Sequence, residues 1–259
     1  ATNVGMQLIN WSDSEPAKTK KNIQGDRIKE PNKPDKAITK MVAKIAKLNK
    51  PTSQAKKVTK NLRDLSINED IQRVKVCREV IGNDVKLMVD ANNAYRHYEA
   101  IEFARKAEKY DLFWFEEPVE PDDYIGQGEI TRSTSIPIAA GENEYTRYGF
   151  RDMINHRAAD ILQPDCLILG GVTEFMKVCA LAQSNDLDIA PHGAQEVHIH
   201  LVSAIPNGLI LEYYRDTVNP MHGKIWENEL ILKDGYVFAP DLPGFGLNPK
   251  WKDLEPYRV

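Results

Sequence analysis

The segment VKLMVDANNAYRHYEAIEFARKAEKYDLFWFEEP, residues 85–118, decides the fold class. It begins with an apolar run that ends in Asp90 and closes with a second apolar run that ends in Glu116. Between the two runs, apolar residues recur at the i, i+3, i+4 spacing of an amphipathic helix. A strand, a helix and a second strand within about 30 residues form a unit that joins two parallel strands.

The same alternation of apolar runs and helical segments continues through most of residues 67–259, with Gly or Pro at the joins. It predicts an α/β protein with a parallel sheet, either open and doubly wound or closed as a (β/α)8-type barrel. The predicted strands cover residues 85–90, 112–116, 136–140, 160–163, 187–190 and 209–212. The predicted helices cover residues 70–81, 98–110, 172–184 and 195–205.

Composition limits the classes of protein that fit this chain. Its 259 residues are 42% hydrophobic and 28% charged, which suits one barrel-sized domain or two small ones. No apolar run approaches the roughly 18 residues of a membrane span, and the first residues lack the features of a secretory signal. The cysteines, Cys77, Cys166 and Cys179, lie in apolar contexts without metal-binding spacing. We therefore expect a cytoplasmic protein with reduced core thiols and no membrane partner.

The N-terminal quarter of the chain differs from the remainder in charge. Residues 1–66 carry an excess of Lys and Arg, whereas residues 67–259 carry an excess of Asp and Glu. We interpret 1–66 as a divergent basic segment with a loop at residues 30–34 and a helix at residues 37–48, and 67–259 as the barrel and a C-terminal segment. The lysines are scattered with few aromatic residues, so a solvated surface is favoured over a nucleic-acid-binding arm.

Acidic residues follow three successive predicted strands. Asp90 and Glu116 end their strands, and Glu142 follows the next one, at steps of 26 residues. In a barrel, the carboxyl ends of the strands share one mouth, where active sites lie. Three carboxylates without interleaved Cys or His are hard oxygen ligands that suit Mg²⁺. A single acid after a strand usually caps the next helix, but three in register predict a metal site.

A second group of polar residues continues this series. Asp165, His192 and Glu212 fall at the ends of the next three predicted strands. Neighbouring strand ends would place Asp165 beside His192, and such a pairing makes a histidine a competent general acid or base near neutral pH. The other histidines are interpreted as structural or surface residues: His97, His156, His198, His200 and His222.

Seven short motifs occur in order from about Leu65 to near the C-terminus. They are Val-Asp-Ala-Asn-Asn-Ala-Tyr (89–95), Phe-Glu-Glu-Pro (115–118), Ala-Gly-Glu-Asn (140–143), Gln-Pro-Asp (163–165), Gly-Gly-Val-Thr-Glu (170–174), Pro-His-Gly (191–193) and Leu-Glu-Tyr-Tyr (211–214). Together they resemble the mandelate racemase subgroup of the enolase superfamily, and within it the acid-sugar dehydratases. The resemblance implies a modified TIM-type (β/α)7β barrel.

The resemblance also implies a role for each residue of the two groups. The implied Mg²⁺ ligands are Asp90, Glu116 and Glu142. The implied catalytic residues are Asp165 and His192, with Glu212 hydrogen-bonded to the enolate oxygen and Asn92 facing the substrate. The implied reaction removes the proton next to a carboxylate and eliminates the β-hydroxyl, giving a 2-keto-3-deoxy acid. The substrate would be a small sugar acid, and the protein would be a homo-oligomer.

Two departures from the family pattern keep other functions open. Thr59 and Asn61 stand where the subgroup carries the Lys-x-Lys that supplies a second base, and the N-terminal α+β capping domain is not recognisable. A racemase that needs a base on each face is therefore disfavoured relative to a one-histidine dehydratase. The alternatives are a racemase, epimerase or cycloisomerase of the same subgroup, and a barrel that binds metal and sugar acid without turnover.

Overall fold

A computed structural model describes residues 2–3, 9–10, 66–214, 222–233 and 235–258. The predicted loop at residues 30–34, the predicted helix at residues 37–48, and the positions Thr59 and Asn61 lie outside the described residues.

Within the described residues, nine strands form two sheets. They are β1 (Thr2–Asn3), β2 (Ile9–Asn10), β3 (Leu87–Asp90), β4 (Leu112–Glu116), β5 (Ile138–Ala140), β6 (Ile161–Leu162), β7 (Asp188–Ile189), β8 (Ile231–Lys233) and β9 (Tyr236–Phe238). The larger sheet has six parallel strands in the order β2-β3-β4-β5-β6-β7, so strands β3 to β7 follow the chain without rearrangement. The smaller sheet is antiparallel, in the order β1-β9-β8. The five predicted strands between residues 85 and 190 are confirmed.

Helices lie between the strands of the parallel sheet and continue after its last strand. They are α1 (Ile67–Ile81), α2 (His97–Ala107), α3 (Tyr124–Thr131), α4 (Thr146–His156), α5 (Cys166–Leu169), α6 (Val172–Gln183), α7 (Gln195–Ala204), α8 (His222–Ile225) and α9 (Trp251–Leu254). All four predicted helices that fall on described residues are present, and α3, α4, α5, α8 and α9 were not predicted. No described helix is long and apolar enough to cross a membrane.

Helix α1 shows how local sequence starts a helix beside the sheet. The Ser66 side chain accepts a hydrogen bond from the Glu69 amide, and the Glu69 side chain accepts one from the Ser66 amide, so two otherwise unpaired N–H groups are satisfied. Val74 and Cys77 on its buried face pack against the apolar residues of β3 and β4. All three cysteines are free and buried, as predicted.

The wall of the sheet curves around an apolar interior. Six buried side chains, one for each successive predicted strand, pack in a single apolar cluster: Met88, Trp114, Ala139, Ile161, Ala190 and Ile210. In a flat sheet, Asp90 and the strand position of Glu212 would be about 24 Å apart, at about 4.8 Å per strand. Glu212 is nevertheless close enough for its charge to raise the pKa of Asp90. This curvature brings the strand ends together, in keeping with the predicted barrel.

The last predicted strand, residues 209–212, does not form a regular strand. Its pairing is limited to a parallel bridge between Gly208 and Ile189, and the Leu209 amide donates a hydrogen bond to the Ile189 carbonyl. The residues that follow continue to the site without regular strand geometry, because their polar groups pair with side chains instead of a neighbouring strand. The edge of the sheet next to β3 is formed by β2, which the sequence pattern did not predict.

Candidate active site

The predicted site residues all lie at the carboxyl end of the parallel sheet. Side chains alternate across a strand, so Glu116 lies on the same face as Trp114, two residues earlier, which belongs to the interior cluster. The same alternation relates Asp90 to Met88. Asp90 and Glu116 therefore each stand one layer above an apolar residue that closes the interior below.

Asp90, Glu116 and Glu142 form a group of mutually repelling carboxyl groups. Burial is the largest cause of a raised pKa for each of them, and it raises the pKa of Asp90 to about 6. The charges of the other two acids raise the pKa of Glu116 further, against a hydrogen bond of 2.9 Å from the indole N–H of Trp114. Such raised values show that the site concentrates negative charge in a place that water solvates poorly.

This donor set fits a divalent cation of the Mg²⁺ type. Three carboxylates offer only hard oxygen ligands, and a bound cation would offset the repulsion that raises their pKa values. The carboxylate oxygens of Asp90, Glu116 and Glu142 do not all lie within 4.8 Å of one another. Among the residues that the structure describes, the group whose ligand atoms meet that distance is Asp165, Cys166 and His198.

The predicted pair of Asp165 and His192 is formed. The His192 Nδ1 atom lies 3.1 Å from Asp165 Oδ2, and its Nε2 atom lies 3.5 Å from Glu142 Oε2. Burial lowers the pKa of His192, but the hydrogen bond with Asp165 and the charge of Glu142 outweigh it and raise that pKa to about 9. Burial also opposes ionisation of Asp165, but its hydrogen bonds with His192 and the Leu167 amide lower its pKa overall. The pair is therefore charged at neutral pH.

Glu212 is held at the site by two hydrogen bonds. One oxygen accepts from the Gly193 amide at 2.6 Å, and the other accepts from the hydroxyl group of Tyr214 at 2.8 Å. The Tyr214 backbone is fixed in turn, because its N–H donates to Gln195 Oε1 and its carbonyl accepts from Gln195 Nε2. These bonds tie the segment after β7 to the segment that carries Glu212.

Glu117, which directly follows Glu116, links two loops of the site through hydrogen bonds. Its two carboxylate oxygens accept hydrogen bonds from Asn93 Nδ2 at 3.0 Å and from Asn143 Nδ2 at 2.8 Å. Burial, followed by the charge of Glu142, raises the pKa of Glu117 to about 7. Its backbone φ is +38°, an uncommon value for a residue with a side chain, so local strain is retained at this position.

The predicted substrate residue, Asn92, lies at the rim of the site. Its backbone N–H donates a hydrogen bond to Asp90 Oδ1 at 2.6 Å, and its φ of +44° turns the chain immediately after the strand. The side chain of Asn92 is exposed. Exposure leaves it accessible to a ligand.

Several residues of the site were not predicted from the sequence. Trp114 lies two positions before Glu116 on the same strand face, and this alternation is a signal that could have found it. Tyr214 likewise lies two positions from Glu212. No comparable signal points to Glu117, whose partners are 24 and 26 residues away, or to the contact of His198 with Cys166, which is 32 residues away.

Comparison with known proteins adds an independent finding. Residues 38–253 match the family model described as Enolase C-terminal domain-like. An arabinonate dehydratase of Saccharolobus solfataricus is 34% identical over 198 residues, which are 74% of this chain and 52% of the dehydratase. A 3,6-anhydro-alpha-L-galactonate cycloisomerase of Streptomyces coelicolor is 36% identical over 181 residues, which are 70% of this chain and 49% of the cycloisomerase.

A solved structure shows the same fold. The crystal structure of an L-talarate dehydratase from Polaromonas sp. JS666, complexed with Mg and L-glucarate, has a TM-score of 0.68 and 34% sequence identity to this chain. The match covers 73% of this chain and 52% of the dehydratase. The chain thus spans about half the length of these relatives.

Proposed function

Because this chain belongs to the Enolase C-terminal domain-like family of enzymes, we propose that it catalyses the Mg²⁺-dependent dehydration of a sugar acid. The reaction removes the proton next to the carboxylate and the hydroxyl group on the adjacent carbon, and the product is a 2-keto-3-deoxy acid. The dehydratase relatives, one of them crystallised with Mg and L-glucarate, support this substrate class.

The observation that carries the proposal is the placement of His192 between two acids of different roles. Its Nδ1 is paired with Asp165, and its Nε2 lies at the edge of the group that contains Glu142. A pKa raised to about 9 makes this imidazole a stronger base than an ordinary histidine, able to take up a proton and hold it for transfer to a leaving hydroxyl group. Asp165 holds the ring and stabilises its protonated form.

Asp90, Glu116 and Glu142 are the residues that would hold Mg²⁺. When bound, the cation supplies stabilisation of the negative charge that develops on the substrate carboxylate. The Tyr214 and Gly193 hydrogen bonds hold Glu212 at this charge, where a protonated Glu212 would donate a hydrogen bond to the developing enolate oxygen in the proposed reaction. Asn92 contacts the substrate from the rim.

One histidine suffices for both proton transfers in this proposal. With the negative charge of Glu142 offset by a bound cation, the pKa of His192 would be lower and the imidazole would act in its neutral form. His192 then accepts the proton from the carbon next to the carboxylate, and the resulting imidazolium gives that proton to the departing β-hydroxyl, which leaves as water. The histidine returns to its starting state, and no external acid or base is consumed. A dehydration needs no base on the opposite face of the substrate, whereas a two-base racemisation does.

A cycloisomerase is the second candidate, because a cycloisomerase is among the relatives with 36% identity. It would use the same proton abstraction on a related acid, followed by a different fate of the intermediate. Both candidates are proposed to act as homo-oligomers, which light scattering of the purified chain would test.

Proton NMR in D₂O, with Mg²⁺ and a panel of aldonic and aldaric acids, tests the proposal. We expect a 2-keto-3-deoxy acid from at least one substrate, no product with His192→Ala, and loss of Mg²⁺ binding with Glu116→Gln. A cyclised or epimerised product without water loss would favour the second candidate. Neither product nor deuterium at the carbon next to the carboxylate, in a folded sample shown to bind Mg²⁺, would favour a non-catalytic barrel.

A further inference from the structure

His198 is a fully buried residue next to Asp165 of the proposed dyad, although its sequence context predicts only a structural residue. It lies in α7, its side chain is 0% exposed, and its ring stacks on Phe175 with 5.4 Å between ring centroids. A polar ring at such a position is stable only when its nitrogen atoms are paired.

Both ring nitrogens of His198 are paired with backbone groups. The amide N–H of Cys166 donates to Nε2 at 3.0 Å, and Nδ1 lies 2.8 Å from the carbonyl oxygen of Gly193. A carbonyl only accepts and an amide N–H only donates, so the proton is on Nδ1 and Nε2 carries the lone pair. The ring is therefore neutral, in agreement with its pKa, which burial lowers.

These two backbone groups belong to the residues that follow the two members of the dyad. Cys166 follows Asp165 and is the first residue of α5, after β6, and Gly193 follows His192 in the loop after β7. The Gly193 amide also donates to Glu212, so the Gly193 residue is fixed on both sides. The His198 ring thus links the two loops that carry Asp165 and His192.

A metal site is the competing interpretation, because ligand atoms of Asp165, Cys166 and His198 lie within 4.8 Å of one another. The bonds already made exclude it. The lone pair of His198 Nε2 accepts the Cys166 amide, and burial raises the pKa of the Cys166 thiol to about 11, which keeps it protonated. The 3.9 Å separation between His198 Nε2 and Asp165 Oδ1 is not an ion pair, because the histidine is neutral.

We infer that His198 is a positioning residue, which sets the distance between Asp165 and His192 by holding the backbone that follows each of them. This inference rests on the proposed function for its effect on turnover, whereas its effect on the dyad can be measured without a substrate. A displacement of about 1 Å in reacting groups reduces turnover by about 100-fold. The expected loss is therefore in kcat, with KM and Mg²⁺ affinity unchanged.

The test compares His198→Phe, His198→Gln and His200→Phe with the unaltered chain. Phenylalanine keeps the packing on Phe175 and removes both hydrogen bonds, whereas glutamine retains an amide that can pair with one backbone group. His200 lies two residues further along the same helix, partly exposed, and contacts the carbonyl of Phe245, so its replacement controls for loss of a histidine from α7. Chains labelled with ¹⁵N-histidine report the tautomer of His198 and the downfield Nδ1–H proton of His192.

We expect this His192 signal in the unaltered chain and in His200→Phe, its loss or displacement in His198→Phe, and partial recovery in His198→Gln. The kcat should fall by about 100-fold in His198→Phe and less in His198→Gln. An unchanged His192 signal in a folded His198→Phe variant would overturn the inference. If His198→Phe does not fold, the same comparison with His198→Gln decides. If the unaltered chain shows the His192 Nδ1–H signal but converts no sugar acid, the proposed function fails. The positioning role of His198 is then tested by the His192 signal in the variants alone.

Discussion

The imidazole Nδ1 atom of His192 lies 3.1 Å from Oδ2 of Asp165, although the two residues are 27 positions apart in the chain. They meet because β6 and β7 are adjacent parallel strands whose carboxyl ends face the same side. The burial of the pair strengthens the interaction, since water does not screen the charges fully.

Replacing Asp165 with Asn tests the role of the carboxylate. Asparagine can still accept the Leu167 amide, but it has no negative charge to stabilise a protonated His192. We expect kcat to fall by about 10² to 10⁴-fold, with Mg²⁺ affinity unchanged, as measured by steady-state kinetics and calorimetry. Asp188→Asn, at an exposed position of β7, is the matched control. Full activity of Asp165→Asn would exclude the dyad from the reaction.

Glu117→Gln tests the support of the metal site. The new amide group cannot accept hydrogen bonds from both Asn93 and Asn143, so the loops that carry Asp90 and Glu142 lose their common anchor. We expect Mg²⁺ affinity to weaken by about tenfold to 100-fold in titration calorimetry. Glu120→Gln, an exposed position in the same segment, should bind Mg²⁺ as the unaltered chain does. Equal affinities in the two variants would show that the anchor is dispensable.

Gly141→Ala tests how tightly the turn before Glu142 is packed. Gly141 has a φ of +132°, and an added Cβ atom would lie 2.7 Å from the ring of Phe150. We expect a loss of about 1–3 kcal/mol in the free energy of unfolding, measured with urea, because a strained backbone and a steric clash add. Gly82→Ala is the control, since Gly82 also has a positive φ but no atom within 4 Å of an added Cβ. A smaller loss for Gly141→Ala than for Gly82→Ala would contradict the clash.

The buried neutral His198 predicts an acid-dependent loss of stability. Its pKa is lowered in the folded chain from an ordinary 6.5, so below pH 6.5 the unfolded chain binds a proton that the folded chain does not. Stability present above this pH is therefore lost as the pH falls, by at most about 1.4 kcal/mol per pH unit for one proton. We expect His198→Gln to be less stable at pH 7.5 but to lose less stability between pH 7.5 and 5 in urea unfolding. His200→Gln controls for loss of a partly exposed histidine, and an equal change in slope for both variants would refute the assignment.

The positions of the strands and of the polar residues at their ends followed from local pattern. Apolar runs such as residues 112–116 are recognised as strands by their composition and length. In a parallel sheet, the carboxyl ends of such strands lie at the same edge of the sheet. Asp90, Glu116 and Asp165 could therefore be placed on one face of the molecule before any coordinates were known. The helix α3 escaped prediction because Gly126 and Gly128 weaken the helical pattern. Its start depends on the Asp123 side chain, which accepts the Gly126 amide.

The sequence by itself determined the βα repeat, the row of acids at its strand ends and the family resemblance, because each is a periodic or local property of the chain. Only the tertiary structure decided which side chains pair: His198 with the backbone of Cys166 and Gly193, and Glu117 with two asparagines. Hydrogen bonds require atoms to meet within about 3 Å, and that distance depends on the curvature of the sheet and the course of loops that are far apart in sequence.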